Sequence, residues 1–251
     1  MKKLFSIILT VAMLAGAIAI FPPAASAEGA LPFRDVKETD WFYPYVCYVY
    51  ENGLMNGTGG KTFSPEETLN RAMYITIIGR LVGAGSSDPS PFKDTEADTW
   101  YSPYVAWASG LGIVKGFPDG TFRPYEAITR EQMAAATDRF LNATGLNAIA
   151  GGGIFNFADE AKVSDWAQKS VGNLKKIGIF TGDTAGRFNP ESNTTRAEAA
   201  TVVTRLKKAI DAAWQGYTPK DGEDALIYVC KNITLQGNSE KKLSQMQLLM
   251  P

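Results

Sequence analysis

The sequence predicts an all-α fold built from three copies of one small unit, and three observations carry that prediction. The first is repetition. Phe33-Arg34-Asp35 returns as Phe92-Lys93-Asp94 and as Phe157-Ala158-Asp159. Each is followed by a tryptophan (Trp41, Trp100, Trp166), a glycine (Gly57, Gly116, Gly182) and a Phe-x-Pro turn beginning at Phe63, Phe122 or Phe188. An arginine comes next (Arg71, Arg130, Arg196), and a second follows nine residues later (Arg80, Arg139, Arg205). The Phe-to-Arg separations are 38, 38 and 39 residues, the constancy and length expected of units that stack on one another to bury a core. The second observation is a helix-start signal around each first arginine. Thr195-Arg196-Ala197-Glu198 reads as a capping box and Thr129-Arg130-Glu131-Gln132 as its glutamine form. Asn70 can cap the first copy, with Met73 where the returning acid or amide would stand. The third is one apolar stripe per helix: Tyr74, Ile77, Leu81, then Met133, Ala136, Phe140, then Ala199, Val202, Leu206.

Taken in chain order, residues 1–27 read as a targeting segment. Lys2 and Lys3 precede an apolar run from Leu4 to Phe21, and Ala25-Ser26-Ala27 supplies a small-residue cleavage signature. The mature chain is therefore expected outside the cell and not embedded in a membrane. The repeats are expected over 28–87, 88–152 and 153–214. In each, the Phe-x-Asp segment enters with a turn. A short helix follows, containing Trp41 to Val46 in the first copy and Trp100 to Val105 in the second. Pro44 and Pro103 suit a first helical turn, where the missing N–H costs nothing. Gly53 and Gly110 are expected helix terminators. The Phe-x-Pro turn then leads to the capped second helix, and Lys207 to Trp214 is expected to prolong the last one. Residues 83–89 and 142–153 read as linkers. Residues 215–251 form a tail with a polar linker and a possible strand over 226–230. A single repeat is too small to bury a core alone.

Composition narrows the chemistry. With residues 1–27 removed, 23 basic residues face 26 acidic ones, so there is no basic field for a nucleic acid. The chain has no histidine, the commonest general base and metal ligand. Its two cysteines, Cys47 and Cys230, are far apart; Cys47 reads as a buried thiol, and pairing between them is open. No metal site and no cofactor are expected. Gly59-Gly60-Lys61-Thr62 resembles the end of a phosphate loop, but Met55 occupies the position of its first glycine.

Four sets of repeated residues are candidate ligand-binding positions, each with a bland alternative. Arg71, Arg130 and Arg196 sit at helix starts, where the dipole disfavours a cation. Either nearby acids such as Glu131 and Glu198 compensate, or guanidinium and free helix N–H groups together form an anion site. Trp41, Trp100 and Trp166 are either core or faces for stacking a sugar. Asp35, Asp94 and Asp159 are either turn formers or acceptors of sugar hydroxyls. Gly57, Gly116 and Gly182 either satisfy backbone geometry or admit a ligand to the main chain. The acids Glu66, Glu67, Glu126, Glu131, Glu191 and Glu198 recur with the repeat, and none is set apart as a catalytic pair. No catalytic residue is expected.

The combined pattern, Phe-x-Asp, Trp, Gly, Phe-x-Pro and Thr-Arg-Ala-Glu, resembles the S-layer homology (SLH) domain from Phe33 to about Leu206. The resemblance implies three units in a pseudo-threefold arrangement around a central three-helix bundle. It also implies inter-repeat grooves that bind secondary cell-wall polysaccharide, often bearing a pyruvate ketal, with the motif's arginine meeting the anion. The expected protein is a monomeric anchor on a bacterial surface that catalyses nothing. A self-assembling surface-layer protein and a wall-anchored remnant of an enzyme such as a wall hydrolase are the competing readings. Asn70-Arg71-Ala72-Met73 lacks the motif's Thr and Glu, so the first arginine is expected to matter least. Alanine at any of the three is expected to leave folding little changed.

Overall fold

Six α-helices and no strand occur among the described residues of the computed structural model, which are 31–146 and 156–215. The targeting segment, the expected tail strand and Cys230 lie outside them. All described residues belong to the unit Leu31–Pro251. The helices are α1 (Tyr43–Glu51), α2 (Arg71–Leu81), α3 (Ser102–Gly110), α4 (Arg130–Ala143), α5 (Asp165–Lys176) and α6 (Arg196–Gln215). Each repeat contributes two, so the all-α expectation holds.

The predicted local signals do their work with two adjustments. Pro44 and Pro103 lie in the first turns of α1 and α3. Asn70 accepts from the Met73 amide at 2.8 Å. Thr129 and Gln132 exchange both capping-box bonds, and the Thr195 amide donates to Glu198 at 2.9 Å. Gly53 follows α1 in a left-handed conformation (φ 65°), but Gly110 stays within α3 and Gly112 (φ 71°) makes the reversal. Trp41 and Trp100 precede their helices instead of lying within them.

All nine residues of the predicted stripes are buried. α2 packs on α3 and α6, α1 on α6, and α4 on α5. α2 and α4 meet through the buried Tyr74 hydroxyl and Thr137 Oγ1, 2.5 Å apart. Thr137 also donates to the Met133 carbonyl at 2.8 Å. Tyr74→Phe should therefore cost about 1–2 kcal/mol, the value of one buried hydrogen bond whose partner keeps a second one. Urea unfolding measures it. Gly79, in the last turn of α2, is needed for packing: a Cβ there would collide with the Tyr104 ring of α3.

The repeats are joined by main-chain bonds that run one way around a ring. Leu69 N donates to Thr194 O (2.8 Å), Thr194 N to Ile128 O (3.0 Å) and Ile128 N to Leu69 O (2.9 Å). These three residues precede α2, α6 and α4, so the ring lies at the starts of the second helices. That is where the repeated arginines stand.

Candidate functional site at the helix starts

Each repeated arginine reaches out of its own repeat into the next. Arg71 Nε donates to Phe122 O at 2.8 Å, Arg130 Nε to Phe188 O at 2.7 Å and Arg196 Nε to Phe63 O at 2.7 Å. Aromatic rings hold the guanidinium groups: Arg71 lies 4.8 Å from the centres of both Phe117 and Phe122, and Arg196 4.6 Å from that of Phe63. A cation held over ring faces is attracted by their quadrupoles and fixed in orientation.

The helix amides beside these arginines are not free, contrary to one half of the anion-site expectation. Arg71 and Ala72 amides donate to Glu126 O and Pro124 O, both at 2.9 Å. Arg130 and Glu131 amides donate to Ser192 O and Pro190 O, both at 3.0 Å. Arg196 and Ala197 amides donate to Glu67 O and Pro65 O, both at 2.9 Å. The following repeat's Phe-x-Pro loop satisfies the helix start, as an orphan N–H row requires. What remains for an anion is the guanidinium.

The three guanidinium groups differ in their surroundings. Arg130 is paired with Glu198 at 3.0 Å, and both belong to helix starts of successive repeats. Arg196 is only 6% exposed and gives a second bond to Asn56 O at 2.7 Å. Arg71 is half-buried, and its second bond goes to neutral Gln132 Oε1 at 3.1 Å. Burial pushes the Arg71 guanidinium down to about 10, with Glu126 opposing and Arg123 adding to the fall. It remains a cation near neutral pH. Burial also lowers Arg130, against the opposing charge of Glu198.

Arg71 opens onto a cavity of about 480 Å³, within the size range of small-ligand sites. All three repeats line it: Arg71 and Ile75 from the first, Lys115, Gln132 and Arg139 from the second, Trp166 from the third. Its charged lining is three cations and no carboxylate. Lys115 and Arg139 were not among the sequence candidates. Arg139 carried a signal, its fixed place nine residues after Arg130, but its groove-mate Arg71 lies in another repeat.

The tryptophans are not core. Trp41, Trp100 and Trp166 are 59%, 49% and 52% exposed, because their neighbours Phe42, Tyr101 and Ala167 take the buried positions. Trp41 and Trp100 rest edge-on against Phe42 and Tyr101, with centroids 5.4 and 5.2 Å apart.

The aspartates act as turn formers. Asp35 accepts from the Phe63 and Ser64 amides, both at 2.8 Å, and Asp94 from those of Phe122 and Arg123, both at 2.7 Å. Asp159 accepts from Phe188 at 2.7 Å and Asn189 at 2.8 Å. Ser64, Arg123 and Asn189 all have φ of 57°, a region that asparagine tolerates and that serine and arginine seldom adopt, and each clasp holds its turn in place. The glycines serve the same clasp. A Cβ at Gly57 would lie 2.6 Å from both the Phe33 ring and Thr62 O, and at Gly182 2.9 Å from the Phe157 ring. Gly116 is equally closed by Phe92 and also lines the Arg71 cavity. Cys47 is a half-buried free thiol, more accessible than expected.

Comparison with known proteins adds independent findings. The profile of the S-layer homology domain matches residues 32–72, 91–134 and 156–200. An endoglucanase from Bacillus sp. (strain KSM-635) is 34% identical over 82% of this chain and 22% of its own length. An S-layer protein from Bacillus thuringiensis subsp. finitimus is 28% identical over 82% of this chain and 24% of its own. A cellulosome-anchoring protein from Acetivibrio thermocellus is 29% identical over 59% and 33% respectively. The chain thus spans between a fifth and a third of the length of these relatives.

Proposed function

This chain belongs to the S-layer homology domain family, and from that premise we propose that it is a non-covalent anchor to the cell wall. The ligand in this reading is a secondary wall polysaccharide carrying an anionic group such as a pyruvate ketal. The chain acts as a monomer in the divisions 28–87, 88–152 and 153–214, and catalyses nothing itself. The observation that carries this reading is the cationic cavity at Arg71, whose lining includes both an oriented guanidinium and the half-exposed indole of Trp166. A carboxylate suits the first, since arginine presents a planar fork of donors to it. The C–H face of a sugar suits the second.

The relatives support the reading from another side. They are an endoglucanase, an S-layer protein and a cellulosome-anchoring protein, yet each matches between 59% and 82% of this chain. A role common to such different proteins is attachment. The cyclic order of the inter-repeat bonds supports a pseudo-threefold arrangement of the units. It gives each arginine a neighbouring repeat to reach into.

The test is co-sedimentation of the chain with purified wall material, before and after chemical removal of the secondary polysaccharide. Binding should be lost on stripping, and no soluble sugar should be released. Undiminished binding to stripped wall would assign the ligand to peptidoglycan and end the polysaccharide reading. Soluble fragments would favour a hydrolase. Assembly into sheets without wall material would favour a lattice protein.

A further inference from the structure

We infer that the groove at Arg71 is the principal anion site, and that the side chain three residues into the next repeat's second helix sets this preference. The inference rests on the anchoring reading above and reverses the order suggested by the first repeat's departure from the motif.

The three grooves are built alike. A guanidinium enters from one repeat and lies beside the following helix, whose third residue is Gln132 for Arg71, Glu198 for Arg130 and Met73 for Arg196. Those three side chains differ most where it matters for an anion. Glu198 places a carboxylate 3.0 Å from Arg130, so an incoming carboxylate meets a neutralised pair and must displace or repel the resident one. Met73 offers no charge, but Arg196 is buried and spends bonds on two main-chain carbonyls. Gln132 orients Arg71 through its Oε1 without cancelling the charge.

The rest of the Arg71 groove points the same way. Lys115 and Arg139 add positive charge to its lining; Arg139 has counterparts in Arg205 and Arg80, so Lys115 is the cation particular to this groove. At the positions equivalent to Lys115, the other repeats carry Thr181 and Asn56. Glu126 and Asp94 favour the Arg71 cation from a distance, but neither pairs with it: Glu126 is paired with Arg123 at 3.6 Å, and Asp94 accepts from two main-chain amides. A guanidinium has five N–H donors. Arg71 gives one to Phe122 O and one to Gln132, which leaves enough for a bidentate carboxylate. The occupant is therefore an anionic sugar: its carboxylate on Arg71, its ring against Trp166.

The decisive variant is Gln132→Glu, which keeps the capping box and the length of the side chain while adding the carboxylate that Arg130 already has. The probe is a methyl hexoside bearing a pyruvate ketal, titrated calorimetrically beside the same hexoside without the ketal. Gln132→Glu and Arg71→Ala should each lower affinity for the ketal compound roughly 10- to 150-fold, the range for one charge-assisted interaction. Glu198→Gln should raise it by opening a second site at Arg130. Larger losses for Arg130→Ala than for Gln132→Glu and Arg71→Ala would overturn the inference while leaving the anchoring reading intact. If the two hexosides bind alike and every variant matches the unaltered chain, the anionic-glycan reading itself falls, and this inference with it.

Discussion

Asp159→Ala is expected to cost about 3–5 kcal/mol of folding stability, because the buried carboxylate accepts two main-chain N–H groups at 2.7 and 2.8 Å. Hydrogen bonds to a charged group contribute about 1.5–3 kcal/mol each, and the abandoned amides would remain in a protein interior. The loss extends beyond those bonds. Asn189 would be left at φ 57° without its clasp. Phe188, whose carbonyl receives Arg130, would be less firmly held. Guanidinium unfolding and the melting temperature measure the effect, with a fall on the order of 10 °C expected for a domain of this size. Asp35→Ala should cost less, since Asp35 is half-buried and its bonds are partly open to water. A loss below about 1 kcal/mol for Asp159→Ala would show that the clasp is not what holds the turn.

Arg196→Ala is expected to lower stability by about 2–4 kcal/mol, against the expectation drawn from sequence that none of the arginines matters to folding. Arg196 is buried, and its two 2.7 Å bonds tie the third repeat to Phe63 and Asn56 of the first. Removing it strips two carbonyls of their donor at a junction that closes the ring of repeats. The gain from no longer burying a cation offsets part of that loss. Arg71→Ala should cost less, because only one of its bonds goes to a main-chain carbonyl and its side chain borders a cavity. Arg196→Lys should not rescue fully, since one ammonium cannot reproduce a planar fork spanning two acceptors. Equal melting temperatures for the Arg71 and Arg196 variants would refute this division between a binding and a structural arginine.

Much of the fold was legible because its signals are local. Helix starts announce themselves through Asn70, Thr129 and Thr195, and the stripes through apolar residues at helical spacing, all of which depend on side chains a few residues apart. The first helices begin later than expected, at Tyr43 and Ser102, with Trp41 and Trp100 before them. Trp41 and Trp100 are large and apolar in composition, but the adjacent Phe42 and Tyr101 fill the interior and leave the indoles outside. The aspartate clasps were half legible. A turn role could be read from Asp35, Asp94 and Asp159, but their partners lie 28 to 30 residues further on.

The sequence by itself determined that three units repeat, that each ends in a capped, amphipathic helix, and that an arginine stands at every cap. It could not determine what stands beside each arginine. Read along the chain, Arg71 is accompanied by Asn70, Ala72 and Met73 and looks like the degenerate copy. In the folded molecule its neighbour is Gln132, 61 residues away, while Met73 belongs to the second-helix start that follows Arg196 around the ring. The physical reason is that a helix start cannot satisfy its own amides. The next repeat's loop supplies the acceptors, and that loop carries the next helix in with it. Each motif is therefore divided between two grooves. Whether its arginine's charge is countered depends on a residue from a different copy, as Glu198 beside Arg130 and Gln132 beside Arg71 show.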